Sequence, residues 1–201
     1  MLPYGEWIIF SLAFGFWAEK IPGKRMLISL AGAWMGGRVL ESLFAPYYPW
    51  NWHYARLAVI LVCWLWAWHQ AKRRVLPLVL VVLALISQDL FLVNEPGIFL
   101  ANKWLFAGVI VLTAYISAHE YWEVAAAISG GLLINQLLSV FFLDGIVRFA
   151  DLPDDFTWNF WVAFLAMGGL VRGWRERMAG VQPSQPDAAE EGEEVRDIEE
   201  A

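Results

Sequence analysis

The stretch Trp122–Leu143, WEVAAAISGGLLINQLLSVFFL, decides the fold class. It carries one charge, Glu123 at its start, and is otherwise small or apolar apart from Ser129, Ser139 and the two amides Asn135 and Gln136. Crossing about 30 Å of hydrocarbon takes about 20 helical residues, and this run supplies them. Composition generalises the point. Of 201 residues 59% are hydrophobic and 17% charged, against about 45–50% and about 25% in soluble domains. Most side chains are therefore expected to face lipid or one another.

Seven such stretches occur: Leu2–Ala18, Met26–Ala45, Tyr54–Gln70, Val75–Val93, Phe99–Ala118, Trp122–Leu143 and Phe156–Gly173. The chain reads as an all-α, polytopic transmembrane helix bundle with seven spans, or six if the first is only half inserted. Pro77 falls in the first turn of the fourth stretch, where a helix tolerates it. Lysine and arginine set the orientation. Lys20, Lys24 and Arg25 follow the first span, Lys72, Arg73 and Arg74 join the third to the fourth, and Arg172, Arg175 and Arg177 follow the seventh. With seven crossings all nine lie on one side, which places the N-terminus out and the C-terminus in. No basic segment precedes the first span, so it reads as a retained anchor and not as a cleaved signal peptide.

Thirteen tryptophans provide a second reading of the topology, because indole favours the membrane interface. Trp7, Trp50, Trp52, Trp104, Trp158 and Trp161 fall at outer ends, and Trp17, Trp66, Trp68, Trp122 and Trp174 at inner ends. Trp34 and Trp64 lie deeper and are expected to pack between helices. The body spans residues 1–178. From Ala179 onward eight acids stand against Arg196 alone, so the tail 179–201 carries −7 and the body +1. A segment so acidic and so poor in apolar residues is expected to be a disordered cytoplasmic tail, either merely solvating or a docking strip for a basic protein partner.

Ionisable groups inside a span are costly, and that cost makes them the first candidates for a functional site. Arg38 lies about 18 Å and Glu41 about 22 Å from the inner end of the second span, at 1.5 Å of rise per residue. They share a helix face and can pair. Gln88 with Asp89 in the fourth span, and Asn135 with Gln136 in the sixth, fall in the same outer-half layer. If these spans adjoin, the six residues form a polar pocket opening outward. The alternative is a closed network that fixes helix packing.

Several further features have ordinary readings. Gly32 and Gly36 form a Gly-x-x-x-Gly pair suited to tight packing or homodimerisation, and Gly130-Gly131 and Gly168-Gly169 permit close helix approach. Oligomeric state is left open. His119-Glu120-Tyr121-Trp122-Glu123 lacks the second histidine of a zinc-protease helix and reads as a polar turn. Asp144, Asp151, Asp154 and Asp155 match no calcium loop and read as a solvated acidic loop. The one cysteine, Cys63, admits no intrachain disulfide. No catalytic, cofactor-binding or metal-binding set stands out, and nucleic acid is not expected as a partner.

Gly36-Gly37 stands five residues before Glu41 as Gly130-Gly131 stands five before Asn135, on spans equivalent in a three-plus-one-plus-three repeat. That topology is the one sugar transporters of the SWEET type use. In the order of its features the chain resembles the YphA-like family of small multi-span proteins of spore-forming Gram-positive bacteria. The residues that carry this resemblance are Trp7 and Trp17 with Lys20, Asn94-Glu95-Pro96 before Trp104, and Trp122 leading into Gly130-Gly131. The resemblance implies placement in the cell membrane, the bacterial inner membrane, with the lipid bilayer as partner, and no particular activity. Two functions remain: a non-enzymatic scaffold or accessory factor, and a small-solute or proton-coupled transporter using the polar pocket.

Overall fold

The computed structural model describes residues 4–18, 24–44, 50–94, 102–142, 145 and 150–180. Seven helices are found among them: α1 Tyr4–Ala18, α2 Lys24–Leu43, α3 Tyr54–Gln70, α4 Val75–Asn94, α5 Asn102–Ser117, α6 Tyr121–Phe142 and α7 Asp155–Gly180. Each apolar stretch of the sequence therefore holds one helix, and the all-α class follows. Among the described residues α6 alone is long and apolar enough to cross a membrane, while Val75–Phe91 and Lys103–Ser117 are shorter apolar helices. The acidic residues of the tail lie outside the described residues.

The chain divides into two compact units, residues 1–168 and 169–201. Of the second, 169–180 are described: the last turns of α7, where Arg172 Nε donates to Glu176 Oε1 at 2.7 Å. The first unit is organised around α6, which packs on α3, α4 and α5; α2 packs on α1 and α3, and α4 on α5. Residues 123–132 of α6 are all buried, the state expected for a helix apolar on every face. Its glycines are what allow this. A Cβ on Gly130 would lie 2.4 Å from Trp64 Nε1, and one on Gly131 2.6 Å from Val81 Cγ1.

Polar groups fasten the helix ends nearest the α3–α4 and α5–α6 turns. Glu123, buried on the first turn of α6, reaches back so that Oε2 accepts from His119 N and Oε1 from Arg73 N, both at 2.9 Å. Lys72 Nζ donates to Glu120 Oε1 at 2.7 Å. That hydrogen bond, with the Glu120 charge, lifts the Lys72 ammonium above its ordinary range. The segment His119–Glu123 is thus a helix-capping turn that ties two loops together.

The opposite end holds a feature the sequence did not announce. Trp50–Trp52 (β1) pairs in parallel with Ala150–Leu152 (β2), in the register Trp50 to Ala150 and Trp52 to Leu152. The loop read as free in solvent is in fact built into the structure, with Leu152 and Pro153 buried. Its aspartates have partners: Asn51 Nδ2 donates to Asp151 at 2.7 Å, and buried Arg56 donates to Asp155 at 2.5 Å and to the Pro153 carbonyl at 3.0 Å. Asp144 lies outside the described residues.

Two other readings need correction. Trp50, Trp158 and Trp161 were expected in an interfacial belt, but they are buried, whereas Trp7, Trp17, Trp104 and Trp174 are exposed. Helical phase decides: Trp161 faces α6 and donates from Nε1 to Ser129 Oγ at 3.1 Å. Likewise Gly32 and Gly36 meet nothing within 4 Å. The close approach of α2 to α3 is made by Gly37, whose Cβ would lie 2.3 Å from Ala55 Cα.

Candidate functional site

The structure divides the six polar residues of the expected layer between two places. Arg38 and Glu41 stay together as an ion pair one turn apart on α2. Glu41 also accepts from Ala55 N through Oε1 at 3.0 Å, which satisfies an orphan amide at the start of α3. Their cavity, about 230 Å³, is shared with Phe44, Asn51, His53 and Tyr54. Arg38 is more than half exposed there. The pair has the geometry of a helix-end clasp and is not part of the second group.

That second group comprises Gln88, Asp89, Asn135 and Gln136, which line a separate cavity of about 230 Å³. Spacing explains the convergence. Leu132, Asn135 and Ser139 stand at i, i+3 and i+7 on α6, Leu85, Gln88 and Asp89 at i, i+3 and i+4 on α4, and each set presents one helical face. From α5 come Lys103, Ala107 and Ile110, and from the first turns of α7 Phe156, Thr157, Phe160 and Trp161. Trp50 and Asp151 place the cavity at the end of the bundle where β1 and β2 pair.

The polar bonding in this cavity is one-sided. Asp89 Oδ2 accepts from Asn135 Nδ2 at 3.0 Å and from Ser139 Oγ at 2.8 Å. Because Asn135 spends its amide nitrogen on the carboxylate, its oxygen must point elsewhere, which fixes the orientation of the amide. Asn135 Oδ1, Gln136 Oε1 and Gln88 Oε1 are all buried without a hydrogen-bond partner. Asn135 and Gln136 are only 5% and 8% exposed, so their acceptors are shielded from bulk water. Buried acceptors left unmatched cost free energy, so a hydrogen-bond donor entering the cavity would be held by them.

Lys103 lines the same cavity, but its Nζ is held by Asp154 Oδ2 at 2.7 Å and lies 5.6 Å from the centre of the Phe156 ring. Asp154 also caps α7, accepting from Thr157 N at 2.9 Å. Burial pushes its carboxyl up, yet the hydrogen bonds from Lys103 and Thr157 outweigh burial and hold it below the ordinary carboxylate range. The cavity thus has a charged collar near β2 and an acceptor cluster around Asp89, with apolar wall between them from Leu85, Ala107, Ile128 and Leu132.

Ser139 and Lys103 were not singled out from sequence. Ser139 could have been, since it follows Asn135 by four residues and so shares its face. Lys103 could not, because only the fold brings the start of α5 beside α7. No protein-family model, curated protein or solved structure matches the chain, so its own residues carry the functional reading.

Proposed function

We propose that the chain is an integral protein of the cell membrane whose seven helices cross the bilayer, N-terminus out and C-terminus in. On this reading it is a small-solute carrier that receives its ligand in the cavity around Asp89. Two kinds of surface support the membrane placement. The outward faces of the helices carry large apolar side chains, among them Leu83, Val109, Leu112, Ile116, Leu137 and Phe141. Large apolar side chains exposed on several helices suit contact with lipid. Lys72 and Arg73 follow α3 and β1 precedes it, so the basic cluster and the β1–β2 pair stand at opposite ends of that helix, an arrangement compatible with positive charge inside.

The observation that carries the carrier reading is the convergence of a carboxylate and three unmatched buried amide oxygens in one cavity. A network that merely fixed helix packing would close its donors on its acceptors. The scaffold reading drawn from the acidic tail has no comparable support, since its residues lie outside the described ones.

Topology and binding can be tested separately. In a Cys63→Ser background, a single cysteine at Asp155 is labelled by an impermeant maleimide on intact cells, and one at Lys72 only after permeabilisation. Labelling of both from one side rules out the crossing pattern. For binding, the full chain in detergent is screened by thermal shift against amines, polyols, sugars and amino acids. At least one solute raises the wild-type melting temperature and fails to raise that of Ala107→Leu, which fills the cavity wall. A panel without any such solute removes the carrier reading.

A further inference from the structure

The chemistry of the cavity narrows the ligand further. Resting on the solute-binding reading above, we propose that Asp89, Gln88, Asn135 and Gln136 form a site for a small organic ammonium ion, its N–H groups directed at Asp89 and the three amide oxygens.

Charge supplies the first argument. Among the described residues Asp89 forms no ion pair; its two partners, Asn135 and Ser139, are neutral. The cation among the lining residues, Lys103, is held by Asp154. A part-buried carboxylate among apolar side chains is matched by a positive charge, and the described residues place none beside it. A cationic ligand would supply that charge.

Donor count supplies the second. The fully buried polar atoms that lack partners in this cavity are all oxygens: Asn135 Oδ1, Gln136 Oε1 and Gln88 Oε1. Asn135 cannot turn over to offer its nitrogen without losing Asp89. Asp89 and Asn135 Oδ1 together ask for a ligand that donates hydrogen bonds, and Gln88 and Gln136 as oriented add two further acceptors, which suits a primary ammonium better than a carboxylate or phosphate. One carboxylate with neutral amides also matches a single positive charge. Divalent ions ordinarily take several carboxylates.

Volume supplies the third. The cavity measures about 230 Å³, whereas an apolar cavity of about 150 Å³ already admits benzene. Space therefore remains beyond the ammonium group, and Ile128, Leu132, Phe160 and Trp161 line it. Apolar walls of that kind suit a short hydrocarbon substituent better than a bare hydrated ion.

The test is binding to the full chain in detergent, by calorimetry, with four probes: propylammonium chloride, 1-propanol, sodium propionate and sodium chloride. Propylammonium binds the wild type, and the other three do not bind measurably. Asp89→Asn keeps the size of the side chain and weakens propylammonium by about tenfold or more, the scale of a lost charge-assisted hydrogen bond. Gln136→Met weakens it several-fold, and it stands in for Asp89→Asn should the latter fail to fold. Unchanged affinity in a folded Asp89→Asn or Gln136→Met overturns the proposal. So does binding of 1-propanol or propionate as tight as that of the amine, or a response to sodium chloride alone. If the amine fails while another solute binds in a manner abolished by Ala107→Leu, the ammonium assignment falls and the carrier reading stands. If no solute binds, both fall.

Discussion

Substituting alanine at Gly37, but not at its neighbour Gly36, breaks the α2–α3 seam. A Cβ at position 37 would sit 2.3 Å from Ala55 Cα, 2.6 Å from Ala55 N and 2.7 Å from the Tyr54 carbonyl oxygen, whereas at position 36 it meets nothing within 4 Å. All three obstacles are backbone, so no rotamer change relieves them. Bringing 2.3 Å out to an ordinary contact of 3.4 Å moves one helix by about 1 Å. Helix propensity favours alanine over glycine by about 0.5–1 kcal/mol at both positions, and it cancels in the comparison. What remains is overpacking, about 1–3 kcal/mol. The bond from Ala55 N to Glu41 Oε1 spans the same seam, and its loss adds about 1 kcal/mol. Gly37→Ala is therefore less stable than Gly36→Ala by about 2–4 kcal/mol. Chemical denaturation of the two purified variants in one detergent measures the difference. Equal stability, or a more stable Gly37→Ala, refutes the close packing of α2 on α3.

Three further outcomes follow from the helix ends. Asp154→Ala removes the cap of α7 and the partner of Lys103, at a cost of about 1 kcal/mol. Because the Asp154 carboxyl lies lower in the fold than in the unfolded chain, its contribution is complete above about pH 4, the unfolded value, and disappears as pH falls through the lower folded value. The stability gap between wild type and Asp154→Asn should thus narrow only in acid, and a gap that narrows towards neutral pH contradicts the assignment. Arg56→Met removes the bonds that hold Pro153 and Asp155 to α3, so amide exchange at residues 150–155 accelerates by an amount equivalent to about 1–3 kcal/mol; unaltered exchange there would mean that β1 alone orders the segment. Glu123→Ala strips the acceptor from His119 N and Arg73 N and costs about 1–3 kcal/mol, while Lys72→Ala, at an exposed pair, leaves the melting temperature unchanged.

Amino-acid order alone determined the helices of this protein. Apolar runs interrupted at Lys24, His53, Lys72 and His119 leave the backbone few ways to bury its amides, and each run becomes one helix close to its expected ends, except that α7 continues past Gly173 to Gly180. The same order placed Asp89 and Asn135 at comparable depth, and the fold joins them. Arg38 and Glu41 lie at that depth too but belong to another cavity, because depth is a coordinate along one helix axis and carries no information on which helices are neighbours. Rotation about the axis was equally hidden. It buries Trp158 and Trp161, leaves Gly36 open and brings Gly37 against Ala55. The β1–β2 pair, between residues about a hundred apart in the chain, depends on contacts that no local pattern encodes. Spacing along the chain thus settled what each segment becomes; contact between segments, which depends on helix neighbours and helical phase together, settled where a carboxylate and three unmatched amide oxygens meet.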